Sequence, residues 1–117
     1  MGIIVVAGQE AASNTDILQG TRLQTAPEDG IVTFEIQAAD NVAANRYVAS
    51  IQLPSGETPL NDVQVPSGTV AGLAGVLDSR ENLTFSSPIM KGGHVVFSCA
   101  LTGATEMTWR VTYSPIG

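Results

Sequence analysis

The residues of this chain that could do chemistry are few, and their spacing decides what they can do. His94 is the only histidine and Cys99 the only cysteine, with Ser98 between them and the glycine pair Gly92-Gly93 just before. Nucleophilic hydrolysis needs a base beside a nucleophile and a third group to orient that base. Strand alternation sends Cys99 to the face opposite Ser98, so these residues do not assemble a triad by sequence. Cys99 is expected as a small buried hydrophobe rather than a reactive thiol. Zinc wants several Cys or His ligands, and the chain has one of each. Oxygen donors for calcium occur at Asp40-Asn41 with Asn45, at Asn61-Asp62, and at Asp78 with Glu81. None forms the spaced carboxylate loop that makes a calcium site specific, so they read as solvated acids. Glycoside cleavage needs two converging carboxylates, whereas most acids here sit in turns and Glu35 lies on a solvated strand face. Trp109 alternates with Met107 and Val111, which makes it a core residue rather than a stacking platform. No catalytic residue, metal or cofactor is expected.

Bulk composition narrows the classes further. The net charge is −6, and the five basic residues Arg22, Arg46, Arg80, Lys91 and Arg110 are scattered with no two adjacent. Phosphate backbones demand clustered positive charge, so nucleic-acid binding is not expected. The acidity favours solubility and opposes non-specific adsorption. At 117 residues the chain suits one domain, which buries about two thirds of its unfolded surface. A single cysteine leaves stability to the core. Met1–Ala7 is apolar but lacks a basic flank and stops at Gly8-Gln9-Glu10, so neither a secretory signal nor a membrane span is expected. Asn82-Leu83-Thr84 is a formal glycosylation sequon, read as fortuitous without a signal peptide.

The elements that must carry these residues are written with a period of two. Val32, Phe34, Ile36 and Ala38 alternate with Thr33, Glu35 and Gln37, and Tyr47, Ala49, Ile51 and Leu53 alternate with Val48, Ser50 and Gln52. The pattern returns in Val95, Phe97, Cys99 and Leu101, then in Met107, Trp109, Val111 and Tyr113. Each set predicts strands with one buried and one solvated face. Val32–Leu53 and Val95–Tyr113 thus read as two amphipathic hairpins. The first arms are related by a shift of about 63 positions (Gly30 to Gly93, Phe34 to Phe97), and Tyr47, Ala49 and Ile51 map onto Met107, Trp109 and Val111. Any two amphipathic hairpins look alike, so the repeat alone does not establish a duplication.

Between these units the signals are weaker. Ile17–Gln24 reads as a strand kinked at Gly20, and Gly8–Asp16 as a turn or one weak helical turn. Pro27–Gly30, Pro54–Glu57 and Lys91–Gly93 are turns. Leu60–Val65 predicts a short edge strand between Pro59 and Pro66, and a strand starting at Leu83 is interrupted by Pro88. Ser67–Glu81 reads as a long apolar loop with at most one helical turn. Two single-faced ribbons bury their apolar faces most simply as facing sheets. The expected fold is all-β: one antiparallel β-sandwich, jelly-roll or immunoglobulin-like, of about seven or eight strands. Residues 17–117 form the domain, and residues 1–16 an N-terminal segment that is either an arm or an edge strand.

With the usual catalytic constellations missing, assembly or binding remains. Ile3, Ile4, Val5 and Val6 form a run of β-formers that can serve as an internal strand or lie along a neighbour's sheet edge. Val70, Leu73 and Leu77 belong to a long apolar stretch expected to pack on its own core or on another subunit. In overall style, through Ile3–Ala7, Gly30–Leu53 and Gly93–Tyr113, the chain resembles the decoration (cement) and minor capsid proteins of tailed bacteriophages. That resemblance implies a β-sandwich or β-tulip that self-associates, with a trimer favoured. It also implies a place on the capsid surface of the virion after synthesis in the host cytoplasm, bridging major capsid or other virion proteins. The competing reading is a carbohydrate- or receptor-binding module of a fibre, using loops Ala39–Arg46 and Thr102–Glu106 with His94 or Arg110 as polar handles.

Overall fold

Seven strands realise the alternation read from the sequence, in a computed structural model that describes residues 2–67 and 83–116. They are β1 (Ile4–Glu10), β2 (Gly30–Ala38), β3 (Arg46–Gln52), β4 (Leu60–Gln64), β5 (Leu83–Ile89), β6 (Val96–Thr102) and β7 (Met107–Pro115). One sheet runs β1-β7-β2-β5, the other β4-β3-β6, and every pairing is antiparallel. The fold is an all-β sandwich of two sheets.

The inward faces are the expected ones. Phe34, Ile36, Tyr47, Ile51, Phe97, Met107, Val111 and Tyr113 are fully buried between the sheets. Phe97 of one sheet meets two rings of the other edge-on: Phe34 at 5.3 Å between centroids and Trp109 at 6.0 Å. Edge-to-face pairs of this kind add to the area term, because the positive rim of one ring meets the negative face of the next. Gln37 departs from the pattern: it is buried, at the end of β2 where the Ala38 amide donates to the Pro66 carbonyl.

The two predicted hairpins are not hairpins. β2 and β3 lie in different sheets, as do β6 and β7, so each unit is an arch that crosses the core. Alternation reports which face of a strand is apolar but not which strand it pairs with. The first tip does hold a two-residue turn, Ala43-Ala44, closed by mutual backbone bonds between Val42 and Asn45, but the pairing stops there and does not continue into a β2–β3 ladder. Facing sheets stand about 10 Å apart, a gap the tips span. The arches exchange partners instead: β2 pairs with β7, and β3 with β6. The register preserves the sequence repeat. Phe34 opposite Val111 has its counterpart in Phe97 opposite Ile51, and Ile36 opposite Trp109 in Cys99 opposite Ala49. The two tips lock together, with the Ala104 amide donating to Asn45 Oδ1 at 2.9 Å. Gly103 makes this approach possible: it has φ +77°, and a Cβ there would overlap the Ala44 carbonyl oxygen.

Three other expectations change. Ile17–Gln24 is not a strand but a run of turns, with Gln19, Thr21 and Gln24 amides donating three residues back. Its apolar residues do not alternate; Ile17, Leu18 and Leu23 plug the core instead. The first strand extends through Gly8 to Glu10 rather than ending in a turn at Gly8. Finally, β5 continues through Pro88, because β5 is an edge strand and a proline there costs no ladder bond on its outer side. β4 is the short edge strand expected at Leu60–Val65.

Candidate functional site

His94 stands just before β6, where that strand meets the turns of residues 14–26. Its Nε2 is 2.9 Å from Asp16 Oδ2, and its Nδ1 is hydrogen-bonded to the Gln24 carbonyl. Burial opposes the charged ring, but the Gln24 and Asp16 acceptors outweigh it and raise the pKa above the usual 6.5. Both nitrogens are therefore engaged by acceptors, and neither faces a hydroxyl or thiol. Asp16 Oδ1 is buried without a protein partner. This is a clasp between the start of β6 and the core-plugging turns, not the base of a nucleophile.

Cys99 is buried, with its Sγ directed at the Ala12 carbonyl at 3.8 Å. Burial pushes its pKa up, which keeps the thiol neutral. Ser98 lies on the other face of β6, in a shallow groove on the outer side of the smaller sheet with Ser50, Asp62, Asn14 and Thr15. Ser50 Oγ accepts from the Asp62 amide at 2.9 Å and donates to Asp62 Oδ1 at 3.3 Å. The groove holds about 190 Å³, below the roughly 300–1,000 Å³ typical of small-molecule sites.

The cation candidates do not converge. Among the described residues no group of three or more His, Cys, Asp or Glu side chains could hold a metal ion. Asn45 is used by Ala104, and Asp62 by Ser50. Asp78 and Glu81 lie outside the described residues, as do Val70, Leu73 and Leu77.

A half-buried polar hub that the sequence reading missed surrounds Glu10, at the end of β1. Its carboxylate accepts from Asn14 Nδ2 at 2.8 Å and from Trp109 Nε1 at 3.4 Å, and its carbonyl accepts from the Tyr47 hydroxyl at 2.8 Å. Burial, followed by the nearby Cys99 and Glu10, pushes the Tyr47 pKa up to about 12. The hub ties β1 to both sheets. Nothing in local sequence marks it, because Tyr47 reaches Glu10 across 37 positions and Trp109 across 99.

The loops of the binding-module reading do not gather its handles. His94 precedes β6, whereas the Ala39–Arg46 and Thr102–Glu106 tips lie past the strand's other end. Arg110 sits mid-strand in β7, in a two-bond pair with Glu35 at 3.0 and 2.8 Å on the outer face of the larger sheet. The tips carry no aromatic residue.

The surface that remains is the rim of the larger sheet. Ile4 and Val6 turn inward and pack against the core, while Ile3 and Val5 are 66% and 50% exposed. β1 is paired with β7 over its whole length, from Ile4 opposite Tyr113 to Glu10 opposite Met107. Ile31, Met90 and Ile116 are further exposed apolar side chains. Ile31 lies between Ser114 and Pro88 on the neighbouring strands. It stands one residue before the buried Val32, so strand alternation puts its side chain on the outer face.

Neither protein-family models nor curated proteins match the chain. Among solved structures it is similar to a chain of the acidic stable capsid structure of Helicobacter pylori bacteriophage KHP30. The TM-score is 0.55 at 12% identity, covering 98% of this chain and 89% of that one. At such identity the likeness is one of fold.

Proposed function

We propose that this chain is a non-enzymatic structural protein of a bacteriophage particle, a decoration or cement protein on the capsid surface. The observation that carries the reading is the fold likeness to a phage capsid chain, which spans nearly the full length of both. The side-chain chemistry agrees with it: His94 is spent on a clasp, Cys99 is buried and neutral, and the groove beside Ser98 is shallow. Its partners are the major capsid protein and further copies of itself, contacted through the β1 rim at Ile3 and Val5. Many copies on a symmetric lattice bind cooperatively through effective concentration, so no single contact need be strong. A net charge of −6 suits a surface that must stay dispersed. No cofactor, nucleic acid or membrane enters this role.

The test is reconstitution. Particles assembled without this chain, titrated with the purified protein, should take it up to saturation at a fixed number of copies per capsomer. Uptake that never saturates, or none at all, would overturn the reading.

A further inference from the structure

Every open sheet invites strand addition at its edges, and natural sheets blunt those edges. The four edges here are treated differently. The free side of β6 is covered by the chain itself: the amides of Asn14 and Ile17 donate to the Cys99 and Phe97 carbonyls at 3.0 and 2.7 Å, and the Cys99 amide donates to Asn14 at 2.9 Å. β5 carries Pro88, which offers no N–H. β4 is five residues long, its pairing with β3 shifts register between Ala49 and Ile51, and Asp62 is held at φ +50°. β1 has none of these devices. Its seven residues pair with β7 without a shift and include no proline and no lysine. Among the described residues no segment pairs with its far side.

From this contrast we infer that the outer edge of β1 is a self-association surface, where β1 of a second copy adds antiparallel and joins two four-stranded sheets into one. The occupant follows from the same edge inventory. Regular strand addition needs an open edge on both partners, and among the described residues β1 is the unblunted edge. Identical edges close as a two-fold pair. Charge agrees. Glu10 is the one charged residue of β1 and lies at its end. Full antiparallel overlap about the midpoint puts Ala7 opposite Ala7, Val5 opposite Gln9 and Ile4 opposite Glu10. Parallel overlap would stack Glu10 on Glu10, and like charges directly opposite are destabilising. Because each copy carries −6, the pair should tighten as salt rises. The inference deepens the assembly reading by naming one contact, and it replaces the trimer of the family resemblance with a two-fold pair.

Ala7→Glu tests it. The residue is exposed and lies opposite Arg110 on its own β7, so a carboxylate is tolerated within the chain. Across the proposed axis the new carboxylate meets its own copy. Sedimentation velocity over a concentration series, at low and high salt, should show the unaltered chain in monomer–dimer exchange. Ala7→Glu should weaken that exchange on the order of tenfold or more, with an unchanged circular dichroism spectrum. Mixing Ala7→Glu with Ala7→Lys should restore dimers. A chain that stays monomeric at high salt, a trimer, or undiminished dimerisation of Ala7→Glu would each overturn the inference. None of these results bears on whether particles take the protein up, so the two readings fail separately.

Discussion

His94 Nε2 lies 2.9 Å from Asp16 Oδ2 across 78 positions of chain, and the opposite ring nitrogen binds the Gln24 carbonyl. With Asp16 ionised, both partners are acceptors, so both bonds are complete only when the ring carries two N–H groups. The clasp is built for the imidazolium. Its folded pKa is raised above the usual 6.5, so its stabilisation is fully present below that value and is lost as pH rises through the folded pKa. Melting temperature should therefore fall as pH climbs from about 6 into the alkaline range, and His94→Gln should remove that slope. A titration of the His94 ring at or below 6.5 would contradict the geometry.

Trp109 should be costly to truncate. The ring is 4% exposed and packs edge-on against Phe97. Trp109→Ala should cost about 3–5 kcal/mol in urea unfolding. A loss near zero would mean that the inward face of β7 is assigned backwards.

Gly8 makes room for that ring. A Cβ at this position would lie 2.7 Å from Trp109 Cζ2. Gly8→Ala should destabilise by about 1–3 kcal/mol through overpacking. Its effect and that of Trp109→Ala should be non-additive in a double-mutant cycle, since the two residues touch.

Cys99 should resist a thiol reagent in the native state and react at the rate of unfolding. Its burial and raised pKa both withhold the thiolate. Rapid labelling of the folded chain would show that the 11–14 segment does not cover it.

What could be read from residues alone was the face of each strand. Phe34, Ile51, Phe97 and Trp109 were inward by period two, and they are the centre of the core. Pairing was not legible, because an arch and a hairpin present the same alternation along the chain. The register that relates Phe34–Val111 to Phe97–Ile51 was present in the repeat, but only as an offset without a partner. Ile17, Leu18 and Leu23 could be recognised as apolar, yet a plug made of turns has no period to detect. The clasp and the Glu10 hub were invisible for a different reason. His94 lies 78 positions from Asp16, and Tyr47 and Trp109 lie 37 and 99 from Glu10, so only the folded sheets bring them together. Pro88 misled because a proline breaks a central strand but not the outer side of an edge strand.

The proposed assembly role is tested most directly by counting copies of the chain in intact virus particles purified from cells in which its gene is expressed. Quantitative mass spectrometry against the major capsid protein should return a fixed ratio set by the capsid lattice. A chain abundant in infected cells but missing from those particles would contradict the account.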